Sequence, residues 1–250
     1  MTQDPSADRP VARGAATGLA KCFASACVSL FAASGCITSG PGEYGVSAEV
    51  KELNMELCPD GLVDDLEDNN NQVIQVGERG GYWFTFKDEY GTTVEPAEFQ
   101  AAEGGAHNSK YAAHVKGKIS SPSPGQWPYV GIGFNFANPK LPFDASKAKG
   151  VQFWAKVGGK LRLQVPDTMT DPLGELCKDC YNHFGVDIYM ENEWVRYTVP
   201  FDRLEQQAGW GDRAPRVAAD KLFALQWQFN TPGAEYDIWL DDVALVGCGP

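Results

Sequence analysis

The 250-residue chain carries 33 acidic and 21 basic side chains, for a net charge of −12. That balance argues against nucleic acid or an anionic membrane surface as a partner, because both need clustered Lys and Arg. A hydrophobic fraction of 43% with 12% aromatic residues can fill a core, which excludes global disorder, and the length suits one large or two small domains.

Arg9, Arg13 and Lys21 precede the small, apolar stretch CFASACVSLFAASGC at 22–36, too short to span a bilayer as a mature helix. It predicts a signal peptide over 1–35. Ala33-Ser34-Gly35-Cys36 is similar to a bacterial lipobox, with Cys36 as the lipidated mature N-terminus, although Leu is usual at the Ala33 position. Ordinary cleavage near Ala33 or Ser34 is the alternative, giving a freely secreted protein. The predicted location is therefore the outer membrane or cell surface through a lipid anchor, and Ile37 in place of Asp favours the outer membrane. Residues 36–57 open with Gly, Ser and Pro, show no sustained period and are predicted to be a tether.

From 58 to 250 the pattern is β. Strands are predicted at 61–67, 81–86, 111–117, 128–136, 149–157, 160–166, 184–190, 193–200, 221–229 and 235–246, most of them alternating with period two. In VQFWAKV, Val151, Phe153, Ala155 and Val157 share one face; in KLRLQV, Leu161, Leu163 and Val165 do; in LFALQWQF, Phe223, Leu225, Trp227 and Phe229 do. Gly158-Gly159 reads as a two-residue hairpin turn. The best helical segment is only Phe201 to Gln207. Such a series of short strands, with turn residues between them, indicates one all-β, two-sheet jelly-roll sandwich.

Two acidic strands bracket this region, LVDDLEDNNN at 62–71 and IWLDDVALVG at 238–247. Asp is poorly suited to strands, so paired acids at both ends suggest that the first and last strands meet and share a cation, calcium being the natural choice. Beyond Cys36 the cysteines are Cys58, Cys177, Cys180 and Cys248. Their even number in an exported chain suggests two disulfides, with three possible pairings. Pairing Cys58 with Cys248 would staple the acidic strands together, and Cys177 would then close a tight loop with Cys180. Zinc is the weaker alternative, since Cys177-x-x-Cys180 has only His183 nearby, and a redox motif would need a βαβ context.

The motifs VDDLEDNNN, ERGGYWFTFKDEYG, GGAHNSKYAAHV, GVQFWAK, EWVRYTVPFDRLEQQAGWG and DIWLDDVAL occur in that order. Together they resemble galactose-binding-like jelly rolls related to family 11 carbohydrate-binding modules, as found in exported lipoproteins of myxobacteria and similar bacteria. The resemblance spans roughly 58–247. It implies a structural calcium ion held by Glu67, by Asp241 or Asp242, and by a backbone carbonyl near Ser109 or Lys110. In a regular strand Asp241 and Asp242 face opposite sides, so only one side chain reaches a given ion unless the strand bulges.

Sugar-binding sandwiches stack aromatic rings on sugar faces and aim amide, carboxylate and guanidinium groups at hydroxyls. The outward-facing candidates are Arg162, Gln164, Gln226, Gln228 and Trp154, with His114 and Tyr129 on neighbouring strands. Gln and Arg are not preferred strand residues, so several on one face point to polysaccharide binding; the alternative is an ordinary solvent face. Trp83, Trp194, Trp227 and Trp239 sit in apolar strand contexts and are assigned to packing, whereas Trp127 and Trp210 lie in loops. No nucleophile elbow, His-Glu metal helix or phosphate-binding glycine loop occurs. The expected function is a non-catalytic polysaccharide-binding lipoprotein; the competing reading is an envelope sandwich for structural or protein interactions without sugar affinity.

Overall fold

Alternating apolar residues make each strand two-faced, and two sheets bury their apolar faces against one another. In the computed structural model, residues 50–51 and 53–249 are described; the predicted signal peptide, Cys36 and most of the predicted tether lie outside them. The strands are β1 (Leu57–Asp64), β2 (Trp83–Lys87), β3 (Ala101–Glu103), β4 (Tyr111–Lys118), β5 (Val130–Asn135), β6 (Gly150–Lys156), β7 (Gly159–Val165), β8 (Phe184–Met190), β9 (Val195–Pro200), β10 (Ala224–Phe229) and β11 (Glu235–Val246). One sheet runs β3-β4-β11-β6-β9 with β1 also on β11, and the other runs β2-β5-β10-β7-β8. All the pairings are antiparallel. Among the described residues no helix is long and apolar enough to cross a membrane.

The first and last strands do meet. Leu62 stands opposite Ala244 and Asp64 opposite Val243, and the Cys58–Cys248 disulfide joins β1 to the chain just past β11. The second disulfide is Cys177–Cys180. Trp227 lies at the centre of the core, with Phe153 at 5.2 Å and Trp83 stacked at 6.1 Å between ring centroids. Its indole N–H has no acceptor among the described residues, a cost of about 1–3 kcal/mol. Burial of an indole at roughly 25 cal/mol per Å² outweighs that cost.

Two expectations are corrected. Gly158-Gly159 does not close a hairpin, because β6 and β7 belong to different sheets. Gly158, at φ 68°, turns the chain from one sheet to the other while the Val157 and Gly158 N–H groups donate to the Glu191 carbonyl. The helical segment at 201–207 shrinks to a single 3-10 turn, Phe201–Arg203, closed by the Leu204 N–H on the Phe201 carbonyl, after which Leu204 is extended.

The described part of the segment before β1 lies on the sandwich: Val50 is buried in the core and Lys51 bridges to Tyr197. Beside β1, Arg79 is fully buried and donates to the carbonyls of Ile74, Asp60 and Leu62. Asp64 accepts from the Leu66 N–H and from the Trp83 indole, while burial pushes its pKa up to about 6.

Candidate functional site

The solvent face of the five-stranded sheet is built from two registered rows. One row runs Phe84, Gly133, Gln226, Gln164, Gly185 across β2, β5, β10, β7 and β8. The next runs Phe86, Gly131, Gln228, Arg162, Asp187. Period two puts these residues outward because their neighbours Trp83, Ile132, Phe134, Leu225, Trp227, Leu163 and Val186 fill the core. Glycine is required under two of the side chains. A Cβ on Gly131 would stand 2.2 Å from the Phe86 ring, and one on Gly185 would stand 3.1 Å from the Arg162 guanidinium. The face therefore has a low floor, with Phe84, Phe86 and Tyr129 along one edge and Tyr189 on the other, the three edge rings spaced 6.1 and 6.3 Å apart.

Its polar groups divide into used and unused. Gln164 donates to the Gln228 side-chain oxygen at 2.6 Å. Arg162 donates to Asp187 at 3.1 Å and to the Glu205 carbonyl at 2.7 Å, which ties β7 to β8 and to the 201–207 segment. Its Nε, however, is buried with no partner among the described residues, as is Oδ1 of Asn135 on the adjoining row. The Gln226 amide makes no side-chain hydrogen bond with any described residue. A face carrying a free amide between aromatic edges can bond sugar hydroxyls and stack sugar rings.

The seven predicted sugar-contact residues do not form one set. Arg162, Gln164, Gln226 and Gln228 share this face, and Tyr129 precedes β5 at its edge. Trp154 on β6 and His114 on β4 belong to the six-stranded sheet and face solvent on the opposite side of the core. Trp194 and Trp239, assigned to packing, also lie on that outer face, where Trp239 stacks on His114 at 3.7 Å. Trp83 and Trp227 are core residues as expected, and Trp127 and Trp210 are exposed in loops. Phe84, Phe86, Asn135, Asp187 and Tyr189 were missed, although the alternation of YWFTFK already places Phe84 and Phe86 opposite Trp83.

The third histidine, His183, is buried. Its Nδ1 lies 2.9 Å from the Thr170 hydroxyl, which also donates to Asp167, and burial lowers its pKa to about 4. This chain of groups pins the 166–183 loop.

The acidic ends of β1 and β11 converge. The register of β11 shifts between Asp241 and Ala244, and Asp242 takes a φ of 46°, so the strand does bulge there. Asp241 points into the glycine-rich loop, where its Oδ2 accepts from the Ala106 N–H at 2.8 Å while Oδ1 accepts from the Asp242 N–H. Burial raises the Asp241 pKa to about 7, and Asp242 adds to the rise. The Asp242 pKa is raised by burial and then by the charges of Asp65 and Glu67. Glu67 accepts from the Lys110 N–H at 2.7 Å, the Tyr111 N–H at 2.9 Å and the Ser109 hydroxyl at 2.8 Å, and the Tyr111 N–H foremost holds its pKa low. The Lys110 carbonyl accepts from the Gly104 N–H.

Hard oxygens thus gather where the calcium ligands were expected, and the repulsion felt by Asp242 is of the kind a cation relieves. Among the described residues, however, no three acidic, His or Cys side chains stand close enough to hold a metal together. The set fits calcium in donor type, with one or two carboxylates and the rest from carbonyls and water.

Two family 11 carbohydrate-binding modules of Clostridium thermocellum are similar in structure to this chain. One, in complex with a beta-1,3-1,4-mixed-linked tetrasaccharide, gives a TM-score of 0.52 at 15% identity, covering 75% of this chain and 95% of that one. The other, from a cellulosomal cellulase, gives 0.53 at 16% identity, covering 74% and 93%. No family model and no curated protein matches the chain. At such identity the likeness concerns architecture: the chain adopts the jelly-roll β-sandwich of the family 11 carbohydrate-binding modules.

Proposed function

We propose that this protein is a non-catalytic surface lipoprotein, anchored through Cys36, that binds polysaccharide on the solvent face of its five-stranded sheet. The observation that carries the reading is the free Gln226 amide beside the Gln164–Gln228 pair, between Phe84, Phe86 and Tyr129 on one edge and Tyr189 on the other. Sugar rings stack on the edge aromatics, and the row of amides across β10 and β7 exchanges hydrogen bonds with hydroxyls. The net charge of −12 suits a neutral polymer. Since a similar jelly roll was solved with a mixed-linked tetrasaccharide, mixed-linked glucan is the first probe.

A calcium ion belongs to the same reading as a structural clasp. Glu67, Asp242 and the Lys110 carbonyl would hold it, with Asp241 behind them, and it would neutralise the acids that join β1 to β11.

The test is retention on immobilised mixed-linked glucan, followed by other neutral polysaccharides. Gln226→Ala removes one direct bonding group and should weaken retention about tenfold, roughly 1.4 kcal/mol, with an unchanged melting temperature. No retention by any polymer would leave the structural sandwich as the function. Cys36→Ala should abolish lipid labelling, and persistence of the label would place the anchor elsewhere.

A further inference from the structure

The outer face of the six-stranded sheet carries features that a solvated surface does not need. Trp154 on β6, Trp194 just before β9 and Trp239 on β11 are partly exposed at outward positions, where period two ordinarily places polar residues. Their rings stand as walls: His107 meets Trp154 edge-on at 4.0 Å and 86°, and Trp194 meets Trp239 at 6.4 Å and 76°. Between them lies a pocket of about 710 Å³ lined by Asn54, His107, Trp154, Trp194, Val195 and Arg196, within the range of small-ligand sites.

The charge of this lining is the reverse of the protein's. The chain is strongly acidic, yet among the described residues no carboxylate side chain lines the pocket. Arg196 is registered directly opposite Trp154 and makes no ion pair or hydrogen bond with any described residue. Lys156 adds a second cation, 4.4 Å from the Trp239 ring centroid and 5.3 Å from that of Trp194. Of the acids on β11, Asp241 is registered opposite Trp154 but is buried with both oxygens taken by the Ala106 and Asp242 N–H groups, and Asp237 is engaged by His114 at 2.9 Å.

We propose that this pocket is a second saccharide site, on the opposite side of the core from the five-stranded face, and that it takes an acidic sugar residue, a hexuronate within an anionic polysaccharide. The two indoles supply flat faces for the C–H side of a pyranose ring. Arg196 presents a planar fork that pairs bidentately with a carboxylate, whereas a neutral hexose would leave that fork unmatched. Asn54 and His107 bond the remaining hydroxyls.

The experiment titrates the full chain with oligogalacturonate and, separately, with the neutral mixed-linked tetrasaccharide, using calorimetry and tryptophan fluorescence. Wild type should bind oligogalacturonate, with affinity falling as salt rises. Arg196→Gln and Trp154→Ala should each weaken that binding at least tenfold, while Gln226→Ala leaves it intact. Melting curves of the variants confirm that they fold. Absence of oligogalacturonate binding overturns the proposal, as does binding that neither variant alters. The neutral titration fails or succeeds through Gln226 alone, so the two faces are judged separately.

Discussion

Asp241→Asn tests how the acidic junction is held. Asp241 is fully buried, and both of its oxygens accept main-chain N–H groups, yet burial and the neighbouring Asp242 raise its pKa to about 7. In the unfolded chain it titrates near 3.9. Between those values the folded state keeps a proton that the unfolded state has released, so stability falls as pH rises through the window. A difference of about three units at 1.36 kcal/mol each sets an upper limit of roughly 4 kcal/mol on the loss.

Asn at 241 does not titrate and keeps one acceptor oxygen; the N–H that loses its acceptor costs about 1–2 kcal/mol. Below about pH 4.5 the variant should therefore be less stable than wild type by about 1 kcal/mol. The curves should cross near pH 5, and above about pH 7 the variant should be the more stable by about 2 kcal/mol.

The assay is urea unfolding from about pH 4 to 8 in chelator, at constant m. Asp64 contributes a loss of the same sign and His183 one of opposite sign, with stability rising between about 4 and 6.5, but both titrate in either protein and cancel in the difference. A variant-minus-wild-type difference that does not move with pH would refute the reasoning. Repeating the series in calcium locates the proposed ion. A gain confined to wild type makes Asp241 a ligand, and an equal gain in both leaves the ion with Glu67 and Asp242. If neither gains, the clasp does not exist.

Other perturbations follow from the same geometry. Removing the Cys58–Cys248 bridge, which closes a sequence separation of 190, should cost roughly 5 kcal/mol in the chain-entropy picture, against about 2 kcal/mol for Cys177–Cys180 with its separation of 3. Denaturation of the two double Ser variants compares them, and equal losses would contradict the entropic account. Arg79→Met should destabilise by about 2–4 kcal/mol, because three part-buried carbonyls lose their donor. Arg79→Lys should recover only part of this, since an ammonium cannot reproduce the fork. Arg162→Ala should lower stability by about 1–2 kcal/mol through the lost Asp187 and Glu205 bonds, whereas Gln226→Ala should stay within about 0.5 kcal/mol. A melting series separates the fastening side chain from the free one.

Period-two alternation made the strands and their buried faces legible, because that pattern is local. Which sheet a strand joins is not local. Trp154 and Arg162 lie eight positions apart on either side of Gly158, and nothing in the alternation reveals that the chain changes sheets there. Hence Trp154 and His114 were grouped with glutamines they never meet. The three-residue β3 was missed because so short a run has no period, and it exists through its pairing with β4. Trp239 was legible and misassigned: it sits between the buried Ile238 and Leu240, so alternation places it outside, and its apolar character was allowed to override the register. The meeting of β1 and β11 was legible because two signals agreed, the paired acids and the flanking cysteines.

What separates fastening from function in this sandwich is the completeness of each polar group's partners. Arg79, Asp64 and Asp241 are buried, and each is matched to main-chain or indole groups that fix its place. Their replacement is felt as stability. Gln226 and Arg196 are held by well-paired strands, but toward the described residues their bonding capacity is unspent. The unspent groups lie on the two solvent faces, each beside exposed aromatic rings, and the matched ones lie between the sheets or at the β1–β11 junction. In the proposed function, binding and stability are therefore carried by different residues, and variants of the first set should leave the melting temperature in place while changing what the protein retains.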